Sequence, residues 1–207
     1  MKKHLLTMQI LLAGLLSMAS MVQANSFRAP LAEMAEASDV VALVEIVEGA
    51  LFYGDEGYRC GARYAARVER SLKGTSDGDV ITFGRFSGQA IGSRYFVFLK
   101  KGEIGLSTPM GPAMEKHNID FMRLCPAHIP ALGAVYQGLG IVPVTYGKLA
   151  SYRPVVRLTN APYEIPARLK AFREPGGSEV DGIFYGTVEA EINDFFNFLK
   201  SELANEK

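Results

Sequence analysis

Tryptophan is absent, cysteine occurs twice and histidine three times in 207 residues. So few thiols and imidazoles exclude a dense disulfide scaffold and any zinc site of many Cys and His ligands. No Cys-x-x-Cys or His-Glu-x-x-His spacing occurs, which removes the commonest redox and metalloprotease signatures. Neither charge sign dominates: 22 Lys and Arg face 22 Asp and Glu. A chain this close to neutral has no bulk electrostatic reason to bind nucleic acid or an anionic membrane. Beyond the first 24 residues there is no apolar run long enough to cross a bilayer.

The N-terminus is different in kind. Lys2 and Lys3 precede an uncharged, mostly apolar run from Leu5 to Ala19, and "VQA" at Val22–Ala24 puts small residues at the positions signal peptidase reads, Val22 and Ala24. These are the three parts of a secretory signal peptide over residues 1–24, with cleavage expected after Ala24. The other reading is a retained anchor, for which the run is short. The brief n-region has a bacterial look, so the periplasm is the expected destination and the medium the alternative. The mature chain, Asn25–Lys207, has 183 residues with 20 basic against 22 acidic, a formal charge of −2. That is one domain's length with room for an appendage. Cys60 and Cys125 both fall in it. In an oxidising compartment an even pair favours one structural disulfide, closing a loop of about 65 residues and worth on the order of 4 kcal/mol. A pair of catalytic or metal-binding thiols is the rival reading.

Periodicity supplies the rest. Residues 29–39 suit a short helix, with Pro30 at its start and Leu31, Met34 and Ala35 on one face. A β-branched run begins at Val40, and a glycine-rich turn follows at 52–58. From Arg59 to Glu69 the residues alternate: Cys60, Ala62, Tyr64, Ala66 and Val68 on one side, Arg59, Arg63 and Arg67 on the other. After a polar turn, "VITFGRF" resumes the β pattern, and Tyr95–Leu99 is apolar on both faces, as in a covered strand. A short strand is expected at 119–125. From Thr187 the spacing predicts an amphipathic helix: Thr187 as N-cap, Glu189 and Glu191 in the first turn, and Val188, Ile192, Phe195, Phe196, Leu199 and Leu203 on one stripe.

The order "SDVVALVEI", "YAARVERSLKG", "GDVITF", "GSRYFVFL", "IDFMRLC" resembles the netrin-like modules and the N-terminal domain of tissue inhibitors of metalloproteinases. The matching positions are Ser38–Val41, Lys73 and Gly74, Gly92–Phe98 and Cys125, and the likeness spans roughly residues 30–130. It implies a mainly β, α+β fold: a five-stranded OB-type barrel with an N-terminal short helix and a C-terminal amphipathic helix. It divides the mature chain into a barrel over 25–130 and a C-terminal extension over 131–207, whose β pieces and helix pack on the barrel. In the inhibitors an N-terminal cysteine holds the protease zinc. The expected mature start here is "NSFRAP", so that mechanism does not carry over.

Two constellations are candidates for chemistry. Arg59, Arg63 and Arg67 form a stripe, with Arg85 and Phe86 placed to lie beside it. It reads either as a ligand-binding barrel face or as a solvated face paired with Glu45 and Glu69. His117 and His128, with Glu115 and Asp120, are weak metal candidates whose spacing equally fits solvated loop histidines. No cofactor is expected. The reading that follows is an exported, non-catalytic binding protein whose partner is another exported protein or a polymer, with no nucleic acid and no stable membrane insertion. The alternatives are a peptidase inhibitor acting through a loop such as "FYGDEGY" or "STPMGPAME", and a metal-dependent enzyme.

Overall fold

The computed structural model describes residues 28–205 except 54–56, 58, 85–87, 103–130 and 161, and for residues 52, 59, 60 and 137 only the backbone. In chain order the elements are β1 (Ala29–Pro30), α1 (Leu31–Ala37), β2 (Val40–Tyr53), β3 (Arg59–Lys73), β4 (Val80–Gly84), β5 (Arg94–Lys101) and β6 (Leu132–Ala134). Then come β7 (Ile141–Gly147), β8 (Arg153–Thr159), β9 (Tyr163–Pro166), β10 (Phe172–Arg173), β11 (Ser178–Val180), β12 (Ile183–Tyr185), β13 (Thr187–Glu191) and α2 (Ile192–Ala204).

Strand pairing closes a barrel. β2 pairs antiparallel with β3, β3 with β4, β4 runs parallel to β6, and β6 and β2 both pair antiparallel with β5. That is a five-stranded OB-type barrel with flanking helices. Four register shifts along β2 and β3 supply the coiling that such closure needs. The strand alternation read from the sequence fills the interior: Ala62, Tyr64, Ala66 and Val68 of β3 meet Val40, Ala42, Val44 and Ile46 of β2, Phe83, and Tyr95, Val97 and Leu99 of β5.

The opposite faces of β5 and of the start of β2 are also buried. Val41, Leu43, Phe96 and Phe98 join a second core with Leu31 and Met34 of α1 and Phe195 and Leu199 of α2. This is why Tyr95–Leu99 is apolar on both sides. β5 also forks. Its C-terminal half, Leu99–Lys101, pairs with β6, while Tyr95–Val97 pairs with β7. The sheet therefore runs on through β7, β8, β13 and β10. The sequence places the barrel's last strand at 119–125, which lies outside the described residues. Among the described residues the closing strand is Leu132–Ala134, just past residue 130.

The "SD" and "KG" pairs meet at one junction. Ser38 Oγ donates to Met34 O (2.6 Å) at the end of α1, and the Lys73 ammonium donates to Glu36 O (2.8 Å), where a cation complements the last carbonyls of a helix. Asp39 N–H donates to Leu99 O (2.8 Å), and its carboxylate accepts the Lys101 N–H (2.7 Å). Gly74 sits at φ +74°, and a Cβ there would collide with the Asp39 carbonyl. β3 stops at this glycine because the next residue must turn left-handed beneath β2.

The C-terminal helix starts later than the periodicity predicts. Thr187–Glu191 is a strand, in register with Thr159–Val155 of β8, and Val188 and Ala190 point into the second core. Pairing of five residues outweighs the capping preference of Thr187, and the helix begins at Ile192. No described helix is long and apolar enough to cross a membrane.

Candidate functional site

β2 outruns its partner. β5 pairs with β2 only from Val40 to Glu45, and Ser93 and Gly92 extend the contact to Ile46. Beyond that point the β2–β3 hairpin continues as an arm, with Gly49 opposite Tyr64 and Leu51 opposite Ala62. Ala62 and Tyr64 face the barrel interior, so Leu51 lies on the inward face of the arm, at the barrel's open end.

A cavity of about 200 Å³ opens there, lined by Gly49, Ala50, Leu51, Ala62, Tyr64, Gln89 and Ile91. Its floor is the buried Tyr64 ring, tilted against Phe83 with centroids 5.9 Å apart. Gly49 lets the ring lie close to the strand, since a Cβ there would stand 3.2 Å from it. The rim is apolar and wet: Leu51 is 50% and Ile91 65% exposed. Gln89 Oε1 is buried and has no hydrogen-bond partner among the described residues. A buried acceptor left unmet costs about 1–3 kcal/mol, so a donor arriving in this cavity would be favoured.

The arginine stripe is partly placed. Arg63 and Arg67 are exposed on the outer face of β3, away from the cavity. Arg67 stands 3.9 Å from Glu45, both well exposed, a geometry worth little. Glu69 is engaged by Arg94 instead, through bonds of 2.9 Å to Nε and 2.5 Å to Nη2. Arg59 follows on β3, opposite Tyr53. Arg85, Phe86, Cys125, His117 and His128 lie outside the described residues, as does the side chain of Cys60. Among the described residues no group of His, Cys, Asp and Glu is gathered to hold a metal.

Two phenols carry raised pKa values, both near α1 and away from the mouth. Burial, then the Glu33 carboxylate, raises Tyr136, whose hydroxyl donates to Glu33 (3.2 Å). Burial alone pushes Tyr163 up to about 12, and its hydroxyl donates to Leu139 O (3.0 Å). These are structural hydrogen bonds.

No family model, curated protein or solved structure matches this chain. The mouth residues Leu51, Gln89 and Ile91 escaped the sequence reading. Their types are ordinary for a strand and a loop, and only the unequal lengths of β2 and β5 leave them open.

Proposed function

We propose that the protein is an exported, non-catalytic binding protein that receives a partner at the mouth of its OB-type barrel. The observation that carries this is the pairing of an exposed apolar rim, Leu51 and Ile91, with the unmet Gln89 acceptor inside the cavity. Such a site suits an apolar side chain entering beside a hydrogen-bond donor, as a segment of another protein offers. Export rests on the N-terminal leader. The netrin-like likeness is supported by the way Ser38–Asp39 and Lys73–Gly74 converge on one junction, since those pairs are part of what suggested it.

The test is affinity capture from a periplasmic extract with mature Asn25–Lys207, beside a Leu51→Asp/Ile91→Asp variant and an Arg63→Ala/Arg67→Ala variant. Both rim residues are exposed, so the first variant should keep the wild-type unfolding midpoint. A partner lost with the rim variant and kept with the arginine variant supports the mouth. A partner lost only with the arginine variant moves the site to the outer face of β3. Turnover of a substrate that depends on a named side chain would overturn the non-catalytic reading.

A further inference from the structure

A second groove lies on the C-terminal sheet, distant in sequence from the barrel mouth. It is an open space of about 510 Å³ between the entry to β10 and the start of α2, lined by Lys170, Ala171, Phe172, Glu191, Asn193 and Asp194. We propose that this groove binds a neutral saccharide.

The walls carry the argument. Phe172 lies on a two-residue edge strand and is 38% exposed, which leaves part of an aromatic ring open to the groove it lines. The Arg153 guanidinium stands over it, 5.3 Å from the ring centroid, which holds the ring in place. The charges of the lining itself are matched. Lys170 pairs with Asp194 at 3.0 Å, and Glu191 pairs with Arg153. The lining side chains therefore carry no excess positive charge to draw a phosphate or carboxylate ligand.

What it does offer is a mixture of donors and acceptors beside an apolar plate. Each carboxylate keeps lone pairs after one ion pair, and the ammonium keeps donors. Asn193 accepts from Arg70 through Oδ1 (2.6 Å), which leaves its amide NH₂ to donate. A sugar ring has the complementary surface: hydroxyls that both donate and accept around the edge, and a C–H face that stacks on an aromatic ring. The volume falls within the range of small-molecule sites.

The experiment is saturation-transfer NMR on the mature chain with the neutral probes tri-N-acetylchitotriose and maltotriose. The expected result is transfer to the ring protons of at least one probe. Phe172→Ala should abolish it, Phe172→Tyr should keep it, and Asp194→Asn should weaken it several-fold. The Leu51→Asp/Ile91→Asp variant should leave it unchanged, which separates this site from the barrel mouth. No transfer to either probe overturns the proposal, as does equal transfer to a Phe172→Ala protein whose amide spectrum shows it folded.

Discussion

Glu189 and Ala150 are joined by a hydrogen bond in the protein interior: the carboxylate, 3% exposed, accepts the Ala150 N–H at 3.0 Å. The same side chain accepts the Lys148 N–H at 3.1 Å. The β7–β8 loop is thereby folded back over the outer face of β13, with Ser151 and Tyr152 both held at positive φ. A Cβ at Gly147 would strike this carboxylate. Removing it leaves two backbone donors without their acceptor, so Glu189→Ala is expected to cost about 3 kcal/mol. Glu189→Gln, which keeps one acceptor oxygen, should cost less. Urea unfolding midpoints at neutral pH check both, and equal midpoints for wild type and Glu189→Ala would refute the bracing role.

Gly74 and Gly78 separate conformational strain from collision. Both lie at positive φ, +74° and +89°, but a side chain at Gly78 meets open space while one at Gly74 meets the Asp39 carbonyl. Gly78→Ala should cost about 1 kcal/mol, the left-handed penalty alone. Gly74→Ala should cost about 3 kcal/mol or more, because backbone must move. Paired thermal melts give the comparison, and similar losses at the two positions would contradict it.

Alkaline stability should depend on Tyr163. Its folded-state pKa of about 12 lies above the ordinary phenol value of 10, so the fold holds the proton more tightly than the unfolded chain. The contribution is complete below pH 10 and is lost as pH rises through 12. Two pKa units correspond to at most about 2.7 kcal/mol. Stability measured from pH 9 to 12 should fall less steeply in Tyr163→Phe than in the wild type.

Arg70 ties the barrel to α2. It donates to Asn193 and lies over the Phe196 ring, 3.8 Å from the centroid. Arg70→Ala should destabilise by about 1 kcal/mol. A double-mutant cycle with Phe196→Leu should show coupling between the two residues, and strict additivity would mean that the stacking contributes nothing.

Much of the barrel was legible because its signals are local. The alternation from Arg59 to Glu69 told inside from outside before any partner strand was known, and Ala62, Tyr64, Ala66 and Val68 are indeed the buried set. The double-sided apolar pattern of Tyr95–Leu99 announced a covered strand, and two cores cover it. The segment after Thr187 misled because Val188, Ile192 and Phe195 share a helical stripe, while Val188 and Ala190 also alternate as in a strand. The two patterns coexist over five residues, and only the presence of β8 alongside decides between them.

The sites were legible least. The arginine stripe stood out as three like charges on one face, yet the open cavity lies on the other side of the same strand. Exposure of Leu51 and Ile91 comes from a neighbouring strand that ends early, and that of Phe172 from its place at the sheet edge, neither of which residue type records.

From its sequence alone, this chain declared its strand faces, its first helix, the stop at Lys73–Gly74 and its covered fourth barrel strand, because side-chain periodicity and glycine's backbone freedom act within a few residues. The tertiary structure alone decided that Leu132–Ala134 closes the barrel among the described residues, that β5 forks between two partners, that Glu189 is buried, and that the barrel mouth and the Phe172 groove stay open. Those outcomes come from long-range pairing and packing, where the free energy depends on which distant segment arrives and on how far along the strand it reaches.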